Sequence, residues 1–227
     1  MDHVEHLDTD LLQKCMNLGK IDLFNIESLP KKSFLDNLKL TKVLITNSSI
    51  PSWPENIFAN QNELEELELT FNQIICLPSN IFNSLRNLKT LSLWHNRIES
   101  LNPAWFKNLQ NLRVLNLNEN GIRDLPKNVF GPLQNLETLL LGTNQLTTIH
   151  SDSFGVHRHL KEVDIYWNKI NAIDEKLIDN TAVDKLNMDN NICSVEYIIG
   201  RDVMKEKLDK CFKNYQPRVE QSKLELF

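Results

Sequence analysis

The sequence predicts an α/β solenoid, a curved stack of short coils in which parallel strands form a concave sheet. A pattern of leucines, an asparagine and an isoleucine returns every 24 residues, and a column of phenylalanines keeps the same step. A fixed period of this size is typical of solenoids, because one repeat cannot bury its apolar side alone and stacked repeats share one core. We expect loops and 3₁₀ turns on the convex side and a helical cap at the C-terminal end.

The main pattern, L-x-x-L-x-L-x-x-N-x-I, predicts one short strand and one turn in each copy. Leucines at alternate positions indicate a strand whose alternate side chains point inward. The asparagine follows the strand where the chain turns away, and its amide group can donate to and accept from backbone groups that would otherwise be buried without partners. The first copy is degenerate and the last is shortened to 23 residues. The copies begin at Leu40, Leu64, Leu88, Leu112, Leu136, Leu160 and Val183.

Two further columns keep the same step through the chain. The aromatic column is expected to fill the convex half of each coil as a stacked spine, and the second column is apolar throughout. The aromatic column consists of Phe34, Phe58, Phe82, Phe106, Phe130 and Phe154, with Ile178 in the next copy. The second consists of Leu29, Trp53, Leu77, Leu101, Leu125, Ile149 and Ile173.

The repeat resembles the 24-residue "typical" leucine-rich repeat in its strand pattern, its phenylalanine at a fixed offset and its Leu-Pro pairs such as Leu77-Pro78. The resemblance covers about residues 18–193. That class is common in extracellular proteins such as Toll-like receptors and small proteoglycans. The degenerate first copy and the closing Cys193 are similar to those of the secreted leucine-rich immune proteins of mosquitoes. The resemblance implies a non-catalytic recognition or scaffold protein acting in innate immunity.

A solenoid exposes its core at both ends and therefore needs caps. Apolar residues between Val4 and Cys15 have helical spacing, and a first strand is expected near Ile21. Apolar residues from Val195 to Leu208 predict one or two amphipathic helical turns with a bend at Gly200. The predicted divisions are an N-terminal cap over 1–26, about seven repeats over 27–193, a helical C-terminal cap over 194–215 and a tail over 216–227.

The cysteines help to indicate whether the protein is secreted or cytoplasmic. Cys193 and Cys211 bracket the C-terminal cap, and a disulfide closing this 18-residue loop would stabilise the protein by about 3 kcal/mol. The alternative is two reduced core cysteines. Cys15 and Cys76 are expected to be unpaired, and the sequon at Asn47 is a predicted glycosylation site. The polar N-terminus carries no signal peptide, which taken literally indicates a cytoplasmic protein. The repeat class and the bracketing cysteines favour secretion instead.

Residues between the consensus leucines are expected to point out of the concave sheet, free of the core. Exposed aromatics anchor many protein interfaces, so we predict a binding surface with two aromatic ends and a polar centre. The alternative is that strand propensity selects the aromatics and that they pack on one another or on flanking loops. The predicted partner-binding residues are Phe71, Trp94, His95, Asn116, Asn118, Glu119, Asp164, Tyr166 and Trp167.

Charge and motif content restrict the functions that remain. The formal net charge is −5 and the acids are scattered, which argues against nucleic acid or an anionic membrane as a partner. We expect no membrane span, no catalytic residues and no cofactor. We also expect no metal site, because His157 and His159 have no ligand partner at a suitable spacing. The expected partner is a protein or a glycan. An intracellular leucine-rich-repeat adaptor and a module of a larger receptor remain as alternatives.

Overall fold

The computed structural model describes Leu12, residues 15–193 and residues 197–218, and in this part the chain is a solenoid of about seven turns. The predicted fold class is confirmed. Strands β1 to β6, β8 and β10 pair in parallel, in chain order, in one sheet. Strands β7 and β9 form a small second sheet on the flank. The strands are β1 Lys20–Phe24, β2 Lys42–Thr46, β3 Glu66–Glu68, β4 Thr90–Ser92, β5 Val114–Asn116, β6 Thr138–Leu140, β7 Thr148–Ile149, β8 Glu162–Asp164, β9 Ala172–Ile173 and β10 Lys185–Asn187.

The strand register follows the repeat. Leu67 pairs with Leu91, and Leu91 pairs with Leu115, so partners in the main sheet lie 24 residues apart. The first step is 22 residues, since Ile21 pairs with Val43, and the last parallel step is 23, since Val163 pairs with Leu186. Strand β1, in the segment that we assigned to the N-terminal cap, is thus hydrogen-bonded into the main sheet. The first strand predicted near Ile21 is confirmed, whereas the segment from Val4 to Leu11 lies outside the described residues.

The aromatic spine is present as predicted, and it holds the convex half of the coils together. All six phenylalanines of the column are fully buried. The rings of Phe106 and Phe130 have centroids 6.0 Å apart, and those of Phe130 and Phe154 are 5.4 Å apart. Full burial of one such side chain contributes about 1.5–3 kcal/mol, so the spine is a main source of cohesion between coils.

The asparagine that follows each strand joins neighbouring coils through its amide group. In Asn144, Nδ2 donates to Leu117 O at 3.0 Å in the preceding coil and to Leu141 O at 3.0 Å in its own. Its Oδ1 accepts from Ile122 N at 3.0 Å. The same pattern recurs at Asn120 and Asn168. The asparagines therefore satisfy backbone groups that the turn would otherwise leave buried and unpaired.

Helical structure is sparse on the convex side. Short 3₁₀ turns occur at Pro103–Phe106 and Ser151–Ser153, and one α-helix, α1, spans Lys176–Asn180. Asn102 caps the first of these turns, because its side chain accepts from Ala104 N at 3.0 Å. None of the helices in the described ranges is long and apolar enough to cross a membrane.

The C-terminal end is only partly helical, which corrects the prediction of helical turns through Ile198. Strand β11, Ile198–Ile199, pairs antiparallel with β10, and the helices α2, Arg201–Lys207, and α3, Asp209–Lys213, follow it. The open edge of β10 presents unpaired backbone groups. Hydrogen bonding of Ile198–Ile199 to that edge is therefore favoured over the helix that the spacing of the apolar residues predicted. The bend expected at Gly200 is present, with a φ of 95°.

The predicted disulfide between Cys193 and Cys211 is present and ties α3 to the last coil. Both cysteines are buried. Cys15 and Cys76 are free, as expected.

Residues 214–218, which we call the C-terminal strap, run back along the flank of the solenoid. Asn214 Nδ2 donates to Asn171 O at 3.0 Å. The ring of Tyr215 packs on His150 with centroids 5.5 Å apart, and burial raises the pKa of Tyr215 to about 12. The strap therefore covers the flank of the C-terminal coils.

The strap is fixed at its far end by Arg218. Its guanidinium group donates to Leu125 O and to Asp124 Oδ1, the latter at 3.2 Å. It also donates to Ser153 Oγ at 3.3 Å. Arg218 thereby reaches a coil two repeats before the one that Asn214 contacts.

Candidate partner-binding surface

Three predicted residues form one cluster on the concave side, which we call the N-terminal aromatic cluster: Phe71, Trp94 and His95. The ring centroid of Phe71 lies 4.7 Å from that of Trp94 and 4.4 Å from that of His95. His95 Nδ1 is 2.6 Å from Glu119 Oε2 in the next coil, and this hydrogen bond lowers the pKa of Glu119. The cluster brings four of the nine predicted residues into one contact network.

Tyr166 and Trp167 form the second aromatic group, which we call the C-terminal aromatic pair. The side chain of Trp167 is 61% exposed. The ring of Tyr166 lies over Gly142, since a Cβ atom at Gly142 would stand 2.1 Å from its Cε1. The glycine therefore makes room for the ring. The pair lies three strands beyond His95, or about 14 Å at the usual spacing of paired strands.

The polar residues between the two groups serve partly structural purposes. Asn118 Oδ1 accepts from Gly142 N at 2.6 Å, and Asn116 Oδ1 accepts from Asn118 N at 3.0 Å. Asp164 Oδ1 accepts from Tyr166 N at 3.2 Å. Burial raises the pKa of Asp164, and the charges of nearby acidic residues raise it further. These side chains thus orient the concave backbone as well as facing the surface.

One expectation for this surface is wrong. Ser92 lies between two consensus leucines and Thr70 directly follows one, and we expected both residues to be free of the core. Thr70 is 7% exposed and Ser92 is 8% exposed. The pattern of leucines does not report this burial.

This surface also has a backbone feature that was not predicted from the sequence. The residue before each ladder asparagine, and before Ile26 and Ser48 at the equivalent positions of the first two coils, has a positive φ, between 48° and 59°. We call this position the left-handed slot. From such a position the backbone N–H donates to a carbonyl group of the next coil. Phe71 N donates to Trp94 O at 3.1 Å, and Trp167 N donates to Asp189 O at 2.8 Å. The slot is occupied in order by Asn25, Asn47, Phe71, His95, Glu119, Thr143, Trp167 and Asn190.

The left-handed slot suits some of its occupants better than others. Asparagine tolerates this conformation, because its short polar side chain can bond locally, whereas bulky residues are uncommon in it. Asn25, Asn47 and Asn190 fit that preference, and Phe71 and Trp167 do not. The asparagines at both ends of the series were the signal in the sequence that would have revealed the slot.

Asn47, the predicted glycosylation site, lies in the same column one coil before Phe71. Its side chain is exposed, and its Nδ2 lies 2.5 Å from Asn25 Oδ1. A glycan attached there would stand beside the N-terminal aromatic cluster. Its presence stays a prediction.

His157, one of the two histidines considered for metal binding, lies in the core of the solenoid. His157 is fully buried, its Nε2 lies 3.1 Å from Phe130 O, and burial lowers its pKa. Across the part of the chain that the structure describes, no three His, Cys, Asp or Glu side chains are grouped to hold a metal ion.

Comparison with known proteins agrees with the repeat analysis. The family profile "Leucine rich repeat" matches residues 86–146, and the profile "BspA type Leucine rich repeat region (6 copies)" matches residues 1–96. A search of curated protein sequences gave no significant match.

Several solved structures share the fold. The Toll–Spätzle complex of Drosophila matches with a TM-score of 0.78 and 28% identity over 84% of this chain and 26% of that one. A leucine-rich-repeat protein of Leptospira interrogans matches with a TM-score of 0.75 and 24% identity over 91% of this chain and 51% of that one. The mosquito LRIM1/APL1C complex matches with a TM-score of 0.66 and 20% identity over 82% and 37%.

The chain thus spans between about a quarter and a half of the length of these structures. The repeat period, the stacked parallel strands, the asparagine ladder and the two profiles agree. The chain is a leucine-rich-repeat protein.

Proposed function

We propose that the protein is a non-catalytic, secreted recognition protein that binds a protein partner on its concave face, in innate immunity. The contact surface consists of the N-terminal aromatic cluster, the C-terminal aromatic pair and the polar residues between them. Toll is in complex with Spätzle in one related structure, and LRIM1 with APL1C in another. Protein binding by the shared fold supports the proposal.

The observation that carries it is the occupancy of the left-handed slot. A left-handed conformation costs a residue with a Cβ atom about 1–2 kcal/mol. The backbone favours asparagine there, yet Phe71 and Trp167 occupy it, and Trp167 buries little of its ring. Strain of this kind concentrates at binding sites, where function offsets it. The aromatic side chains at these two positions are therefore best explained by contact with a partner.

Charge on the concave face favours a partner recognised through apolar contacts. Acidic and basic side chains pair across coils, as Lys89 Nζ does with Glu65 Oε1 at 2.7 Å and Arg113 with Glu137 at 3.2 Å. Paired surface charges leave little net field to attract a polyanion. Clustered aromatics with a polar rim are the usual anchors of protein interfaces.

Secretion is supported by the disulfide that closes the C-terminal end, since such bonds persist in oxidising compartments. The exposed sequon asparagine, Asn47, is compatible with the same compartment.

In the test, the full chain captures partner proteins from the extracellular fluid and from the cytosol of the source organism, and the amount of each captured protein is measured. The full chain is compared with a Phe71→Asn, Trp167→Asn double variant, which keeps the residue that the slot prefers. Val156→Asn is the matched control, because Val156 is 50% exposed and lies on the convex side. We expect an extracellular protein whose recovery falls at least tenfold with the double variant and is unchanged with the control.

Three outcomes contradict the proposal. Equal recovery with all three proteins would place the contact elsewhere on the molecule. A partner found in the cytosol alone would identify an intracellular adaptor. Capture abolished by glycosidase treatment of the fluid would identify a glycan ligand.

A further inference from the structure

Three hollows lie side by side at the N-terminal coils, from the rim of the concave face to the flank. The first has a volume of about 270 Å³ and is lined by Phe71, Gln73 and Arg97, among others. The second, of about 460 Å³, is lined in part by Gln73, Arg97 and Trp53. The third, of about 760 Å³, lies between the first two coils and also has Trp53 in its wall. Neighbouring hollows share wall residues and therefore adjoin, and we call the row the edge groove.

Each hollow of the edge groove exposes an apolar side chain. Phe71 is 38% exposed in the first, Ile75 is 65% exposed in the second and Leu35 is 40% exposed in the third. Exposed apolar side chains that form one patch on a soluble protein mark a surface that binds another molecule. Because the row begins at the N-terminal aromatic cluster, it continues the proposed contact surface around the edge of the solenoid.

A hydrogen-bond donor is left over in the wall that the second and third hollows share. Trp53 is 8% exposed, and its Nε1 has no acceptor within the described ranges. By contrast, Trp105 Nε1 donates to Leu77 O at 3.2 Å. A buried donor without a partner is unfavourable, so an occupant that brings a carbonyl group to the indole would stabilise the groove. An extended peptide backbone presents such groups along its whole length.

The edge groove carries more positive than negative charge. Lys31 and Lys32 line the third hollow, and Arg97 lines the other two. Within the part of the chain that the structure describes, none of these three side chains has an ion-pair partner. Glu55 is the one acidic side chain among the described residues of the walls. The whole chain has a formal net charge of −5, so this local excess of cations is complementary to an acidic ligand.

We propose that an extended, acidic segment of the protein partner occupies the edge groove. The inference rests on the proposed function, because the segment continues from the contact at the N-terminal aromatic cluster. Its apolar side chains pack on Ile75 and Leu35, and one of its backbone carbonyl groups accepts from Trp53 Nε1. Its carboxylates pair with Arg97 and with the two lysines of the third hollow. The partner thereby holds the edge of the solenoid as well as its concave face.

A random peptide library displayed on phage is the probe. The library is panned on the full chain, and the dissociation constants of the selected peptides are measured by fluorescence anisotropy. We expect acidic peptides with apolar residues, and Arg97→Glu should weaken their binding at least about tenfold, because an attraction becomes a repulsion. Lys107→Glu, an exposed change of equal charge on the convex side, is the matched control and should have little effect. The difference between the two variants should shrink at high salt, since screening weakens ion pairs.

Trp53→Leu is a second variant that changes no charge. Leucine occupies the equivalent repeat position at Leu77 and Leu101, so the coil should fold, which circular dichroism checks. Because the indole N–H is lost, the affinity of the selected peptides should fall at least about tenfold at every salt concentration.

The outcomes separate this inference from the proposed function. It is overturned if the library yields no binder, or if the selected peptides respond to Trp167→Asn but to neither Arg97→Glu nor Trp53→Leu. The second result would support the concave contact alone. Peptides that respond to Arg97→Glu and Trp53→Leu but not to Trp167→Asn would support the edge groove and count against the concave contact. Self-association of the full chain that Arg97→Glu abolishes would assign the groove to another copy of the chain and overturn the inference.

Discussion

Thr143 offers a direct measurement of strain in the left-handed slot. Its φ is 54°, it is exposed, and its branched Cβ makes it a poor residue for this conformation. Thr143→Asn places there the residue found at Asn25, Asn47 and Asn190. The backbone bond from Thr143 N to Tyr166 O, 2.7 Å long, is available to both residues. The substitution therefore changes the preference of the backbone and little else.

The expected gain follows from the cost of the conformation. A left-handed residue with a Cβ atom pays about 1–2 kcal/mol, and asparagine recovers about half of it. We expect the free energy of unfolding to rise by about 0.5–1 kcal/mol. For a chain of this size, 1 kcal/mol corresponds to about 2–4 °C in Tm. The melting temperature should therefore rise by about 1–4 °C.

The assay is thermal and urea unfolding followed by circular dichroism. Thr138→Asn is the control, because Thr138 lies in β6, where loss of a β-branched residue should destabilise by up to about 1 kcal/mol. Opposite signs for the two variants are expected. If Thr143→Asn is neutral or destabilising, the slot is not strained. The aromatics at Phe71 and Trp167 would then need no functional explanation.

Three further results are expected. Asn144→Ala should lower the free energy of unfolding by about 2–4 kcal/mol, because it leaves several buried backbone groups unpaired. Asn135 is exposed and makes one such bond, so Asn135→Ala should lower it by less than about 1 kcal/mol in the same urea titration. Burial lowers the pKa of His157, so below its ordinary pKa the unfolded chain binds a proton that the folded chain does not. The free energy of unfolding should therefore fall as the pH drops through about 6.5. His157→Gln should make Tm depend less on pH. A steep dependence that persists in His157→Gln would exclude this assignment. Replacing both Cys193 and Cys211 with serine should cost about 3 kcal/mol, and an unchanged urea midpoint would show that the last coil is held without the disulfide.

The period of the sequence predicted the coils because the same physics acts on every copy. Leu67, Leu91 and Leu115 are buried for the same reason, and the six phenylalanines of the spine are buried with them. Periodicity reports which side chains are buried. It does not report backbone angles, so the left-handed slot was not found even though Asn25 and Asn47 marked it.

The C-terminal end shows a second limit. Val195, Ile198 and Ile199 have the i, i+3, i+4 spacing of a helix face. The sheet edge left by β10 nevertheless makes a strand of Ile198–Ile199. That preference comes from a tertiary neighbour and is invisible in a local window. The strap was missed for the same reason, since Arg218 bonds to residues more than ninety positions away in the chain.

Reversal of chain direction at β11 also has a consequence for assembly. A parallel stack can lengthen indefinitely, because each coil is a template for an identical one. Because β11 is hydrogen-bonded to the edge of β10, the backbone groups that a further parallel coil would use are already paired. We therefore expect end-to-end association through the edge of β10 to be disfavoured.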